Sequence, residues 1–143
     1  MLPADLIALL PHRHPMRLVE EVIDVVPGKL ARSRRVTHAD DWYFDGHFPG
    51  RPIVPAVVLI ELLAQTGGLA IVGESDEPLE LRVAAVGRFK FPAAAGVGAR
   101  LEATASVAGR AGPLIRIEGR VTSDDVVVAV GDVTLANVSP SDS

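Results

Sequence analysis

The chain contains no cysteine, which excludes disulfides, thiolate metal sites and cysteine nucleophiles and fits a reducing compartment. Aromatic residues are scarce at 4%, so a core must be built from small and β-branched side chains. Basic charge is not in excess. The formal net charge is −4 and the pI about 5.5, against the strongly basic face that nucleic-acid binding needs. No secretory signal is legible at the start, where Asp5 comes early and the basic residues follow the apolar run; a cytoplasmic location is the expectation. Residues 53–72 come nearest to a membrane span. Glu61 and Gln65 fall near its middle, however, and a mid-bilayer carboxylate costs about 2.5–3.5 kcal/mol on insertion scales. Neither nucleic acid nor membrane is expected as a partner.

What is present is ordinary globular composition, 48% apolar and 22% charged over 143 residues. That suits a single domain over 1–143 with one core. Residues 4–10 read as a short helix stopped by Pro11. Residues 16–26 and 30–37 read as two strands around the Pro27-Gly28 turn, the first with a bulge. A loop over 38–51 carries Trp42, Tyr43 and Phe44, which suit a plug for one end of the core. A long helix follows from about 54 to 71, with Pro55 in its first turn and Gly73 at its end. Residues 80–91, 100–109, 114–123 and 126–136 read as four more strands, the last three suited to antiparallel neighbours. The tail 137–143 is polar and expected to fray.

The long helix is apolar almost all round, so it must be buried on nearly every side. In a chain this short, one arrangement achieves that: an α+β fold with an antiparallel sheet wrapped around one central helix. The open sheet face and edge then remain for a second subunit.

Within that helix Glu61 stands alone among Val57, Val58, Ala64 and Gln65, with no basic residue one turn away. Such a carboxylate lies on a wet stripe of the helix, pairs with an arginine from another strand, or is desolvated and serves as a general acid. His47 sits between Gly46 and Pro49-Gly50, in a loop with little freedom to move it, which is how a base is held in register with a substrate. The first N–H groups of the helix, at Ala56 and Val57, lack intrahelical acceptors and could hold an oxyanion. A base, an acid and an oxyanion site suit removal of a proton α to a carbonyl with loss of a β-hydroxyl. A metal site from His12, His14 and His47 has no supporting spacing, and no cofactor or metal is expected.

Three stretches, LLPHRHP (9–15), YFDGHFPGRPIVPAVVLIELLAQTGG (43–68) and GRFKFPAAAG (87–96), resemble the FabZ-like β-hydroxyacyl-acyl-carrier-protein dehydratases of the hot-dog superfamily. The resemblance implies that His47 is the catalytic histidine and that Glu61, from the partner subunit, is the catalytic acid. It implies no cofactor, and a homodimer that in many members assembles further as a trimer of dimers. It also implies an acyl tunnel at the dimer interface, for which Phe48, Pro55, Val58, Gln65 and His14 are candidate lining residues. The substrate would be an acyl-carrier-protein or coenzyme A thioester. Glu rather than Asp at position 61 resembles the plain dehydratase rather than the isomerising branch. Three positions depart from the family pattern: Ala56 replaces a usual Gly, His14 a frequent Tyr, and GVGA at 96–99 a more polar turn. Arg32, Arg34, Arg35, Arg88, Lys90 and Arg100 are candidates for docking an acidic carrier, or else a solvated strand face. The rival readings are a hot-dog acyl thioesterase and a non-catalytic acyl-thioester-binding module.

Overall fold

The computed structural model describes residues 3–46, 50–75 and 77–139. A 3-10 helix, Pro3–Leu9, opens the chain, followed by strands β1 (Glu21–Val26) and β2 (Leu30–Val36), then a 3-10 turn, Trp42–Phe44. The long helix α1 (Ala56–Ser75) comes next, and β3 (Leu81–Val86), β4 (Arg100–Ala111), β5 (Leu114–Ser123) and β6 (Val126–Asn137) complete the fold. All strand pairs are antiparallel in one six-stranded sheet ordered β1-β2-β4-β5-β6-β3. This is the order of two strands, a helix and four strands that the sequence pattern predicts, and the hot-dog fold that the resemblance implies.

Period-two alternation aims Leu101, Ala103 and Ala105 of β4 and Ile115, Ile117 and Val121 of β5 inward. They meet Leu62, Leu63, Leu69 and Val72 of α1, all fully buried. Each such aliphatic side chain contributes roughly 1.5–3 kcal/mol by leaving water. In β6 the alternation slips at consecutive buried residues Val128 and Ala129. There β6 carries one extra residue against the Val121–Thr122 step of β5, a β-bulge. By length and composition α1 could cross a membrane, but 72% of its most apolar 18-residue stretch is buried inside the fold.

Helix and sheet approach closely because the residues between them are small. A Cβ on Gly119 would lie 2.1 Å from the Thr104 carbonyl oxygen and 2.7 Å from Leu63 Cδ1. A core nearly free of aromatic bulk permits this spacing. Tyr43 and Phe44 are the buried exceptions, closing one end of the core as expected, while Trp42 stays half-exposed with Nε1 donating to the Pro15 carbonyl at 3.0 Å.

Several boundaries differ from the sequence reading. The first strand begins at Glu21, not at 16, because side chains take the backbone groups just before it. Leu18 N–H donates to Gln65 Oε1 at 2.8 Å, and the Leu18 carbonyl accepts from Arg35 Nη1 at 3.1 Å. Residues 15–20 therefore form an irregular strap across the helix. Helix α1 runs through Gly73 to Ser75; a Cβ on Gly73 would sit 3.2 Å from Val25 Cγ1, so this glycine serves packing against β1 and not termination. Strand β3 stops at Val86. Gly87 N–H donates to the Asp132 carbonyl at 2.8 Å, and the chain rejoins β6 only at Lys90, which exchanges backbone hydrogen bonds with Val130. At the opposite end from β1, edge strand β3 leaves Val83 and Val86 exposed.

Candidate active site

Helix α1 places Glu61 and Gln65 one turn apart on the same face. Gln65 is 1% exposed and spends its whole amide: Oε1 accepts from Leu18 N–H, while Nε2 donates to the Met16 carbonyl at 2.7 Å and to Glu61 Oε1 at 3.0 Å. On the same Oε1 of Glu61 lies His12 Nε2, at 3.1 Å. The Glu61 side chain is 23% exposed. It therefore has two partners, where the sequence showed no basic residue one turn away, and the basic one arrives from the N-terminal segment ahead of the strap rather than from an arginine on a strand.

These groups border a cavity of about 240 Å³. His12, Glu61 and Gln65 form its polar side; Leu10, Ala64, Gly68, Leu81 and Leu135 supply an apolar wall, and Arg82 and Val83 come from β3. The cavity can take an apolar chain at one end and present a carboxylate at the other. Sequence reasoning considered His12 only as a metal ligand without supporting spacing. The available signal was the pair Pro11 and Pro15, which constrain the segment that carries it.

The other candidate residues are distributed as follows. Val58 is buried, and Pro55 precedes the helix with its carbonyl accepting from Val58 N–H at 3.0 Å and Leu59 N–H at 3.3 Å. Ala56 and Val57 open α1 with side chains exposed, Val57 to 70%. Ala56 also lines a second cavity of about 440 Å³ with Ile53, Leu59, Phe91 and Ala93. His14 is exposed and does not line the Glu61 cavity. His47 and Phe48 lie outside the described residues, although Gly46 at φ +79° and Gly50 at φ +81° flank them with backbone conformations that favour glycine.

The aromatic turn ahead of that loop is anchored by a buried ionic cluster. Arg35 Nη2 donates to Asp41 Oδ1 at 2.8 Å, Arg35 Nε donates to the Tyr43 hydroxyl at 3.2 Å, and that hydroxyl donates to Asp41 Oδ2 at 2.6 Å. Burial alone would push the Asp41 carboxyl up, but hydrogen bonds from His38 N–H and Tyr43 and the charge of Arg35 hold it below its ordinary value. Burial, with the hydrogen bond to Asp41, pushes the Tyr43 hydroxyl up to about 12. Arg35 is thus removed from the candidate docking surface. Arg32 and Arg34 both pair with Glu102.

A family model described as a FabA-like domain matches residues 10–131. The chain belongs to the FabA-like family. Among curated FabA-like relatives, it is 36% identical to the 3-hydroxyacyl-[acyl-carrier-protein] dehydratase FabZ of Myxococcus xanthus over 145 residues, covering 97% of this chain and 92% of that one. It is 41% identical to the FabZ of Nitratidesulfovibrio vulgaris strain Miyazaki F over 76 residues, a stretch that spans about half of that relative, 49%, and 53% of this chain. The dehydratase heterocomplex ApeI:P from Xenorhabdus doucetiae superposes with a TM-score of 0.79 at 21% identity, covering 99% of this chain and 93% of that one. That likeness concerns the fold.

Proposed function

We propose that this FabA-like chain is a hydro-lyase that converts a 3-hydroxyacyl thioester, carried on acyl carrier protein or coenzyme A, into the trans-2-enoyl thioester and water. The observation that carries the reading is Glu61: a carboxylate on the buried helix, fixed by Gln65 and His12, at the polar side of a cavity with an apolar wall. In the proposed step His47 takes the α proton, and the electron pair forms the new C=C bond. The β C–O bond breaks, and Glu61 gives its proton to the departing hydroxyl to make water. The N–H groups of Ala56 and Val57, at the positive end of the helix dipole, hold the thioester oxygen as charge develops there. Alanine at position 56 keeps the N–H and adds only a methyl.

The site is proposed to be completed by a second protomer, so that His47 of one chain meets Glu61 of the other. A helix start with Val57 70% exposed, and an edge strand with Val83 and Val86 exposed, offer apolar surface for such a partner. Phe48, Pro55, Val58 and Gln65 would line the acyl path. A cytoplasmic setting fits the absence of cysteine from the chain.

The deciding experiment incubates the protein with crotonyl and 3-hydroxybutyryl thioesters of both carriers while enoyl absorbance and free thiol are followed. Reversible change in enoyl absorbance without thiol release is expected; thiol release makes the chain a thioesterase instead. Glu61→Gln and His47→Ala should each lower kcat by roughly 10²–10⁴-fold with the circular dichroism spectrum unchanged. Full turnover in either folded variant removes that residue from the mechanism.

A further inference from the structure

We propose that His12 is a positioning residue for this reaction: by gripping Oε1 of Glu61 it leaves Oε2 as the oxygen that delivers the proton to the leaving hydroxyl. The inference rests on the dehydratase reading above and assigns a role to a residue that reading does not use. Two groups converge on Oε1 of the carboxylate: Gln65 Nε2 donates a hydrogen bond to it at 3.0 Å, and His12 Nε2 lies 3.1 Å from it as an ion-pair partner. An oxygen that accepts from Gln65 and has the His12 ring nitrogen against it is a poor seat for a proton, because an O–H there would have to displace one of these neighbours. The transferable proton therefore belongs on Oε2.

His12 can hold Oε1 in this way only in the tautomer with hydrogen on Nε2. The opposite tautomer would set the lone pairs of Nε2 and Oε1 face to face. It would also bury an N–H at Nδ1, which is enclosed and has no hydrogen-bond partner among the described residues. The ring is carried on a braced segment. Arg13 Nη1 donates back to the carbonyls of Leu10 at 2.6 Å and His12 at 2.8 Å, and Leu10 is buried with its N–H on the Ile7 carbonyl. The remaining charged group on the described cavity wall is Arg82, on β3, which pairs with Glu80 at 3.4 Å. Two grips from different parts of the chain thus fix one carboxylate oxygen: Gln65 from the helix itself and His12 from the N-terminal segment.

The test compares His12→Gln, whose amide N–H can reach where Nε2 stands, with His12→Leu, which fills the space without a donor. In hydration of crotonyl-coenzyme A the leucine variant should lose about 100-fold in kcat, the scale of a misplaced catalytic group, with KM within about twofold. The glutamine variant should stay within about fivefold of wild type. Wild-type turnover in His12→Leu, or equal loss in both variants, overturns the proposal. Should the leucine variant fail to fold, ¹⁵N-histidine spectra of the wild-type protein decide. A His12 signal of the Nε2–H tautomer that shifts on Glu61→Ala supports the contact; an Nδ1–H tautomer, or a signal indifferent to Glu61→Ala, overturns it. Inactivity of the wild type on every thioester would sink the dehydratase reading, while the spectra would still report on the His12–Glu61 contact.

Discussion

The Gln65 side chain and the Leu18 backbone meet at 2.8 Å across 47 residues of sequence. That bond, with the one from Gln65 Nε2 to the Met16 carbonyl, lashes the strap to the helix, and the same amide orients Glu61. Gln65→Leu keeps the volume but strands a buried N–H and a carbonyl, each costing about 1–3 kcal/mol. Urea denaturation should show a loss of roughly 2–4 kcal/mol, together with reduced kcat. An unchanged urea midpoint would mean that the strap is held by other contacts.

Tyr43 is the sole tyrosine of the chain, so its phenolate absorbance titrates without interference from another. Burial first, then the hydrogen bond to Asp41, raises its pKa to about 12. Because the folded value lies above the unfolded value of about 10, this group's contribution to stability is complete below pH ~10 and is lost as pH rises towards 12. The ultraviolet titration of the folded protein should show no phenolate step near pH 10, and the step should return to about 10 in urea.

Asp41 behaves in the opposite sense. Its folded pKa is lowered despite burial, through the His38 N–H, the Tyr43 hydroxyl and Arg35. Its stabilisation is therefore complete above its ordinary value of 3.8 and is lost as pH falls below it. Asp41→Asn should lower stability at pH 7 and flatten the decline of stability in the acid range. Arg35→Met, which leaves Asp41 buried without its cation, should cost about 3–5 kcal/mol. Denaturation midpoints measured from pH 3 to 7 check both.

Gly119→Ala tests the close approach of β5 to both its neighbour β4 and helix α1. The new methyl would press on the Thr104 carbonyl, which is backbone and cannot rotate away, and on Leu63. Overpacking of this kind costs about 1–3 kcal/mol, and thermal melting should register it. A neutral result would show that β4 and β5 can part, and α1 lift, at that point.

Element order, the buried helix and the curled sheet were legible because each rests on a local pattern: for α1 an apolar run too long for a strand, for the strands a period of two, with Gly and Pro at the breaks. Glu61 stood out for the same reason, as an interruption of an apolar helix. His12 did not, because nothing periodic links residue 12 to residue 61 and only folding brings them to 3.1 Å. The strap was misread as strand for a related reason: its hydrogen bonds go to the side chains of Gln65 and Arg35, and β-branched content reports nothing about such partners. Arg35 carried a signal that could have been read. It shares strand parity with Ala31 and Ser33, the inward-facing residues of β2, and so had to be buried and paired.

Helix α1 also has a consequence for how the protein is made. It is complete by residue 75, whereas β4, β5 and β6, whose inward residues cover it, all follow. Until those strands leave the ribosome, a 20-residue apolar helix has only the N-terminal segment and the β1–β2 hairpin to shelter it. The nascent chain should therefore be most prone to capture by holdase chaperones, and to self-association, between completion of the helix and emergence of β6.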